Sequence, residues 1–247
     1  MGALMRLAII SDIHGNLEAL EQVFKRIEAE KVSRIVCLGD VVGYGPFPGE
    51  CIRRIRTAAE ILILGNHDDA VIGRTDVRDF NVHARAAVRW TREVLTEEDR
   101  AELAIYRIDA DLGDVHLVHG SPASPRMWDY ILSPVDARPN FSAFAGRICF
   151  IGHTHSAAVF EMDEDQIVQS RRVTRELILS SHSRYIINVG SVGQPRDSNP
   201  DAAFAFYDDE RARVEFVRVA YDVSKTQAAM EKAGLPHFLI KRLQLGH

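Results

Sequence analysis

The chain has 247 residues, 46% of them hydrophobic, and a formal net charge of -5. It can bury a sizeable core, and it shows none of the basic excess with which a dedicated nucleic-acid binder tracks a phosphate backbone. Cys37, Cys51 and Cys149 lie far apart, which argues against a disulfide framework or a CxxC zinc site and points to a reduced cytoplasm. No apolar run approaches membrane-spanning length.

In chain order, Leu7 to Ile10 reads as a strand. Leu17 to Glu30 reads as a helix, with Leu17, Leu20, Val23, Phe24 and Ile27 at helical spacing. Ile35 to Leu38 is the next strand, Glu50 to Ala59 a helix, and Glu60 to Leu64 a third strand. This alternation predicts parallel strands joined by crossover helices. Val77 to Glu102 reads as mostly helical, with Ala84, Ala87, Val88 and Leu95 facing inward. From Tyr106 the runs VHLVH, ICFIG, AAVFEM, YIINVG, AAFAFYD and ARVEFVRV, separated by turn residues, predict a second, more antiparallel sheet. A helix near Val223 to Ala233 follows it. One domain over 1–247 is expected, with 121–140 as a lid-like loop.

Five strands end in polar clusters: Ser11 to Gly15, Gly39 with Asp40, Gly65 to Asp68, His119 with Gly120, and Gly152 to His155. In open α/β sheets ligands gather beyond the carboxyl ends of strands, so these clusters converge on one place. Residues two apart on extended backbone share a side, so Asp12 with His14, and His153 with His155, can reach into a common cavity. Imidazole, carboxylate and amide oxygens together suit manganese, zinc or iron(II) better than calcium or magnesium alone. Seven such groups are too many for one ion and divide between two if Asp40 bridges.

In order and in strand-end context, SDIHG, LGD, GNHD, VHG and GHTH resemble the motifs of the calcineurin-like metallophosphoesterase family. The segment from Asn188 to Asp197, NVGSVGQPRD, is similar to its small bacterial and archaeal phosphodiesterase branch. The resemblance implies an α/β (α+β) fold, a four-layer αββα sandwich of two mixed β-sheets flanked by helices. It implies Asp12, His14 and His155 as ligands of a first metal, Asn66, His119 and His153 as ligands of a second, and Asp40 between them. It also implies a catalytic role for His67, stabilising the transferring phosphoryl group or protonating the leaving oxygen; Asp68, next in sequence, is placed to orient it. The chemistry expected is in-line attack on phosphorus by a water whose pKa falls from about 15.7 towards about 7 between two divalent ions.

The substrate expected is a small phosphate mono- or diester. A dinucleoside polyphosphate hydrolase and a phosphoprotein phosphatase are alternatives with the same metal centre. A non-enzymatic scaffold like the retromer subunit of this fold is the contrasting class, and the acidic balance speaks against a nuclease. Tyr44 and Arg196 are candidate substrate contacts, each with a plainer reading as turn residue or loop salt bridge. Trp128 and Tyr130 either cover the pocket or pack beneath it. His83, His116, His182, His237 and His247 lack motif context and read as structural or surface residues.

Overall fold

The computed structural model describes residues 6–247. In chain order it runs β1 (Arg6–Ile10), α1 (Leu17–Glu28), β2 (Arg34–Cys37), α2 (Pro48–Ala58), β3 (Ile61–Leu62), α3 (Asn66–Val71), α4 (Val82–Val94) and α5 (Glu97–Ala104). There follow β4 (Asp109–Leu112), β5 (Val115–Val118), α6 (Pro134–Asn140), β6 (Ile148–Ile151), β7 (Ala158–Met162), β8 (Val168–Arg171), β9 (Glu176–Ile178) and β10 (Arg184–Asn188). The chain closes with β11 (Ala202–Asp208), β12 (Arg213–Val219), α7 (Val223–Lys232) and α8 (His237–Leu245).

Two mixed six-stranded sheets result, ordered β3-β2-β1-β11-β12-β9 and β4-β5-β6-β10-β7-β8. Period-two alternation explains why they stack. In β1, Leu7 and Ile9 face the layer between the sheets, where they meet Leu117, Phe150 and Ile187, while Ala8 and Ile10 face α1 and α2. On the far side, Cys149, Ile151 and Ile186 pack under Ala137 of α6, Phe141 and Phe144. The layers are therefore helix, sheet, sheet, helix. The fourth is thin, built from one short helix and its flanking loop.

Several expectations need correction. AAFAFYD and ARVEFVRV form β11 and β12, which belong to the first sheet: β11 pairs antiparallel with β1, with Leu7 opposite Tyr207. An alternating run records that a strand has two faces, but not which strand lies beside it. The stretch 77–102 is mostly helical, as expected, but divided between two helices. Asn81 accepts hydrogen bonds from the backbone of His83 and Ala84 and starts α4. Thr96 and Asp99 cap each other reciprocally and start α5. The stretch 121–140 is not wholly irregular, because it ends in α6, capped by Ser133. No helix among the described residues is long and apolar enough to cross a membrane.

Candidate metal centre

The clusters singled out in the sequence follow strands that run parallel to their neighbours and end beside them, β1 with β2 in one sheet and β5 with β6 in the other. The loops behind them hold one another through main-chain bonds, Asp12 N–H to the Gly39 carbonyl at 3.0 Å and His14 N–H to the Asp40 carbonyl at 2.9 Å. Close approach is obligatory at two glycines: a side chain on Gly65 would strike the Asp40 carboxylate, and one on Gly152 would strike Ser11 and Asp12. Asp12, His14, Asp40, His153 and His155 all adopt left-handed backbone, with φ between 50 and 68°. Such a conformation costs a side-chain-bearing residue roughly 1–3 kcal/mol, a strain that persists only where surrounding structure enforces it.

Two sets of buried acceptors meet at Asp40. The first joins Asp12, His14, Asp40 and His155; the second joins Asp40, His119 and His153. Asp40 Oδ2 lies 3.5 Å from His14 Nε2 and 3.4 Å from His119 Nε2, while its Oδ1 accepts the His67 main-chain N–H at 2.8 Å. Asn66 opens α3 and brings its Oδ1 within 3.2 Å of His119 Nε2. Each imidazole is turned by a main-chain carbonyl: His14 Nδ1 by Val42 at 3.0 Å, His155 Nδ1 by Gln194 at 2.6 Å, His119 Nδ1 by Leu38 at 2.8 Å, and His153 Nε2 by Trp128 at 2.7 Å.

Those bonds place the ring proton on the outer nitrogen and leave the inner lone pair facing the centre. His14 Nε2 and His155 Nε2 then oppose each other at 3.0 Å as two acceptors. Asp12 Oδ1, 3.3 Å from His155 Nε2, is buried with no hydrogen-bond partner. Acceptors facing acceptors repel unless a cation lies between them. Ligands held about 2.0–2.2 Å from one ion stand roughly 3 Å apart when adjacent, so these separations fit divalent metals at both sets.

Without metal, the electrostatics are those of a site short of positive charge. Burial and the nearby carboxylate of Asp40 push Asp68 up to about 8, and burial pushes Asp12 up to about 6. Burial also opposes ionisation of Asp40, but His119 and His67 outweigh it and hold that carboxyl well below its usual range. Burial disfavours a charged His119, yet Asp40 beside it raises the imidazole to about 9, so a proton stands where a metal would. Burial lowers His67 to about 4 and His153 to about 3, and takes His14 and His155 well below 6.5.

A bell-shaped stability profile follows for metal-stripped protein. Below pH 6.5 the four lowered histidines bind fewer protons folded than unfolded, so stability falls as pH drops; Asp12 and Asp68 oppose this but are outnumbered. The stabilisation from raised His119 is complete below 6.5 and is lost as pH climbs through about 9, while raised Asp68 costs further stability up to about 8. We expect the Tm of chelator-treated protein to peak between about pH 6 and 7. A Tm still climbing at pH 9 would contradict these assignments.

Around the two acceptor sets lie the other residues singled out in the sequence. Tyr44 belongs to the site: its hydroxyl is 3.1 Å from His67 Nε2, and its ring lies 4.6 Å from that of His14. Arg196 forms no ion pair with a carboxylate side chain among the described residues; its guanidinium carbon sits 5.6 Å from the centre of the Tyr44 ring, and Asp197 pairs with Arg218 instead. Tyr130 covers His153 as a stacked ring at 4.2 Å, and Trp128 is tied to Thr75 at 3.1 Å. Asp68 does not orient the His67 ring. Both its oxygens accept main-chain N–H groups, from Val42 and Gly65 at 3.1 Å each, so it fixes the loops around Asp40.

A cavity of about 410 Å³ opens beside His67, walled by Phe80, Asn81, Asp79, Trp128 and Tyr130. Apart from Trp128 and Tyr130, these wall residues carry no motif and could not be singled out from sequence.

The model of the calcineurin-like phosphoesterase superfamily domain matches residues 5–211. An uncharacterized protein of Methanocaldococcus jannaschii is 35% identical over 245 residues, 97% of this chain and 98% of that one. The crystal structure of a metallophosphoesterase from Sphaerobacter thermophilus is similar with a TM-score of 0.85 and 43% identity, covering 99% of this chain and all of that one. A hypothetical protein of Pyrococcus horikoshii shares the fold, with a TM-score of 0.76, 22% identity and 98% of each chain covered.

Proposed function

The chain belongs to the calcineurin-like phosphoesterase superfamily, and from that premise we propose that it hydrolyses a small phosphate mono- or diester with two divalent ions. The observation that carries this reading is the shared carboxylate: Asp40 Oδ2 stands between two sets of inward-facing lone pairs, 3.5 Å from one imidazole and 3.4 Å from the other. Asp12, His14 and His155 would hold one ion with Asp40, and Asn66, His119 and His153 the other. Manganese, zinc and iron suit this donor set. Two such ions supply an activated water, orient the phosphate and neutralise its developing charge.

The protein's own groups do the rest. The main-chain carbonyls that turn each imidazole keep the donor atoms aimed before substrate arrives. His67 lies outside both sets and borders the cavity, so it is placed to meet the departing oxygen. Neutral at pH 7 on its own, it gains basicity when a phosphate dianion comes alongside, which couples its protonation to substrate binding. Tyr44 holds its ring in place. A cavity of about 410 Å³ accepts a leaving group of small-molecule size and supports a small substrate over a folded protein or a duplex.

The test is a panel of p-nitrophenyl phosphate, its bis ester and diadenosine tetraphosphate, each with manganese, zinc and iron(II), alongside metal analysis. We expect close to two metal equivalents and chelator-sensitive turnover of at least one substrate. No turnover together with less than one equivalent bound would favour the scaffold reading. Preference among monoester, diester and dinucleoside polyphosphate is read from the same panel.

A further inference from the structure

Three of the four imidazoles aimed at the centre are turned by carbonyls of the loops that carry the candidate ligands or dock against them. Leu38 and Val42, two residues either side of Asp40, serve His119 and His14, and Gln194 serves His155. His153 differs. Its Nε2 donates to the carbonyl of Trp128 at 2.7 Å, which belongs to the excursion between β5 and α6. Tyr130, two residues further on, stacks on the same ring at 4.2 Å and 11°. One short segment therefore fixes both the rotation of His153 and its tilt, and leaves Nδ1 as the inward donor.

A side-chain relay holds that segment at the cavity wall. Trp128 Nε1–H donates to Thr75 Oγ1 at 3.1 Å, and the Thr75 hydroxyl donates to Asp69 Oδ2 at 2.7 Å. Asp69 is buried in α3, three residues after Asn66. Its main-chain carbonyl takes the N–H groups of Arg74 and Thr75 at 3.0 and 3.4 Å, which winds the Thr75 turn back onto the helix. A hydroxyl whose proton is committed to a carboxylate offers only lone pairs to its other neighbour, so Asp69 makes Thr75 the acceptor that the indole N–H requires. Trp128 has left-handed backbone, φ 58°, a conformation that a tryptophan keeps only where its surroundings enforce it. The relay thus links α3, which carries Asn66, to His153 behind β6 of the other sheet. Asn66 and His153 are candidate ligands of the same ion.

We propose that Thr75 is a positioning residue for the second metal: by holding Trp128 it holds the carbonyl that turns His153, and so sets the affinity of the ion shared by Asp40, Asn66, His119 and His153. The inference rests on the two-metal reading of the centre and adds to it a residue that belongs to neither acceptor set. A hydrogen bond that aligns a ligating imidazole from outside is typically worth about 10–100-fold in metal affinity. The first set draws nothing from this relay, because His14 and His155 are turned by Val42 and Gln194, so the effect falls on one ion of the two.

Calorimetric titration of manganese into metal-stripped protein tests this without turnover. Thr75→Val removes the hydroxyl and keeps the branched shape. It should weaken one of the two equivalents by about 10–100-fold, the one that His153→Ala also loses, and leave the other within about threefold. Trp128→Phe removes the indole N–H but keeps the main-chain carbonyl and an aromatic ring, and should give the same loss. The double variant should lose no more than either alone, because both break one relay. Thr75→Ser restores the hydroxyl and should recover the wild-type affinity. Thr57→Val, at a threonine of α2 whose hydroxyl bonds only its own helix, should change neither equivalent. Wild-type affinities for both equivalents in Thr75→Val and Trp128→Phe, or equal weakening of both equivalents, would overturn the positioning role while the two-metal reading stands. Less than one equivalent bound by the wild type would overturn the metal reading and this inference with it. The expected selective loss without turnover of any ester would support the positioning role and count against the hydrolase.

Discussion

Asp40→Asn is expected to reduce bound metal from about two equivalents to less than one and to lower turnover by a factor of at least ~10³, the scale on which removal of a central electrostatic element acts. The substitution keeps the size of the side chain and an oxygen to accept the His67 main-chain N–H. What it removes is the negative charge at the one atom that faces both His14 and His119. Its amide would present either a neutral oxygen or N–H groups towards lone pairs. Asp12 would remain with His14 and His155, and Asn66 with His119 and His153, each set short of its shared anion.

The same variant has a second readout in the metal-stripped state. Asp40 is what raises His119 to about 9 and, after burial, it helps to raise Asp68. Without it the alkaline fall in stability should flatten between about pH 6.5 and 9, because His119 no longer keeps a proton there. Metal analysis by mass spectrometry and thermal melts against pH measure the two effects. A variant that still binds two equivalents would remove Asp40 from the shared position.

Much of this centre is legible in the sequence because metal chemistry needs particular side chains and strand ends place them at short, repeated spacings. Asp12 with His14 and His153 with His155 announce themselves in that way. What turns those rings is invisible there: the carbonyls of Val42, Leu38, Gln194 and Trp128 belong to main chain, which any residue could supply. The left-handed backbone at five of the seven candidate ligands is equally hidden, since a non-glycine residue gives no sign of it. Thr75 sits in a turn without a motif and gains its place only through tertiary packing. In the fold, Asn81 and the pair Thr96 and Asp99 do mark helix starts, so the break in 77–102 is readable from capping chemistry. The pairing of β11 with β1 is not, because it joins residues nearly 200 positions apart and neither run names its neighbour.

His67→Ala should separate binding from chemistry. His67 contributes neither inward-facing nitrogen nor oxygen to the two acceptor sets, and its link to Asp40 runs through its main-chain N–H, which alanine retains. Both metals should therefore stay, with two equivalents measured. Turnover should fall by about 10²–10⁴, the usual worth of a positioned general acid or base. The loss should be largest for esters with poor leaving groups, because p-nitrophenolate departs without much help from a proton. Tyr44→Phe removes the hydrogen bond to His67 Nε2 and leaves the ring, so it should cost less than His67→Ala and act mainly on kcat. Loss of one metal from His67→Ala would make His67 a ligand. Equal losses for good and poor leaving groups would instead assign it to stabilising the phosphoryl oxygens, and the proton would then come from elsewhere in the cavity.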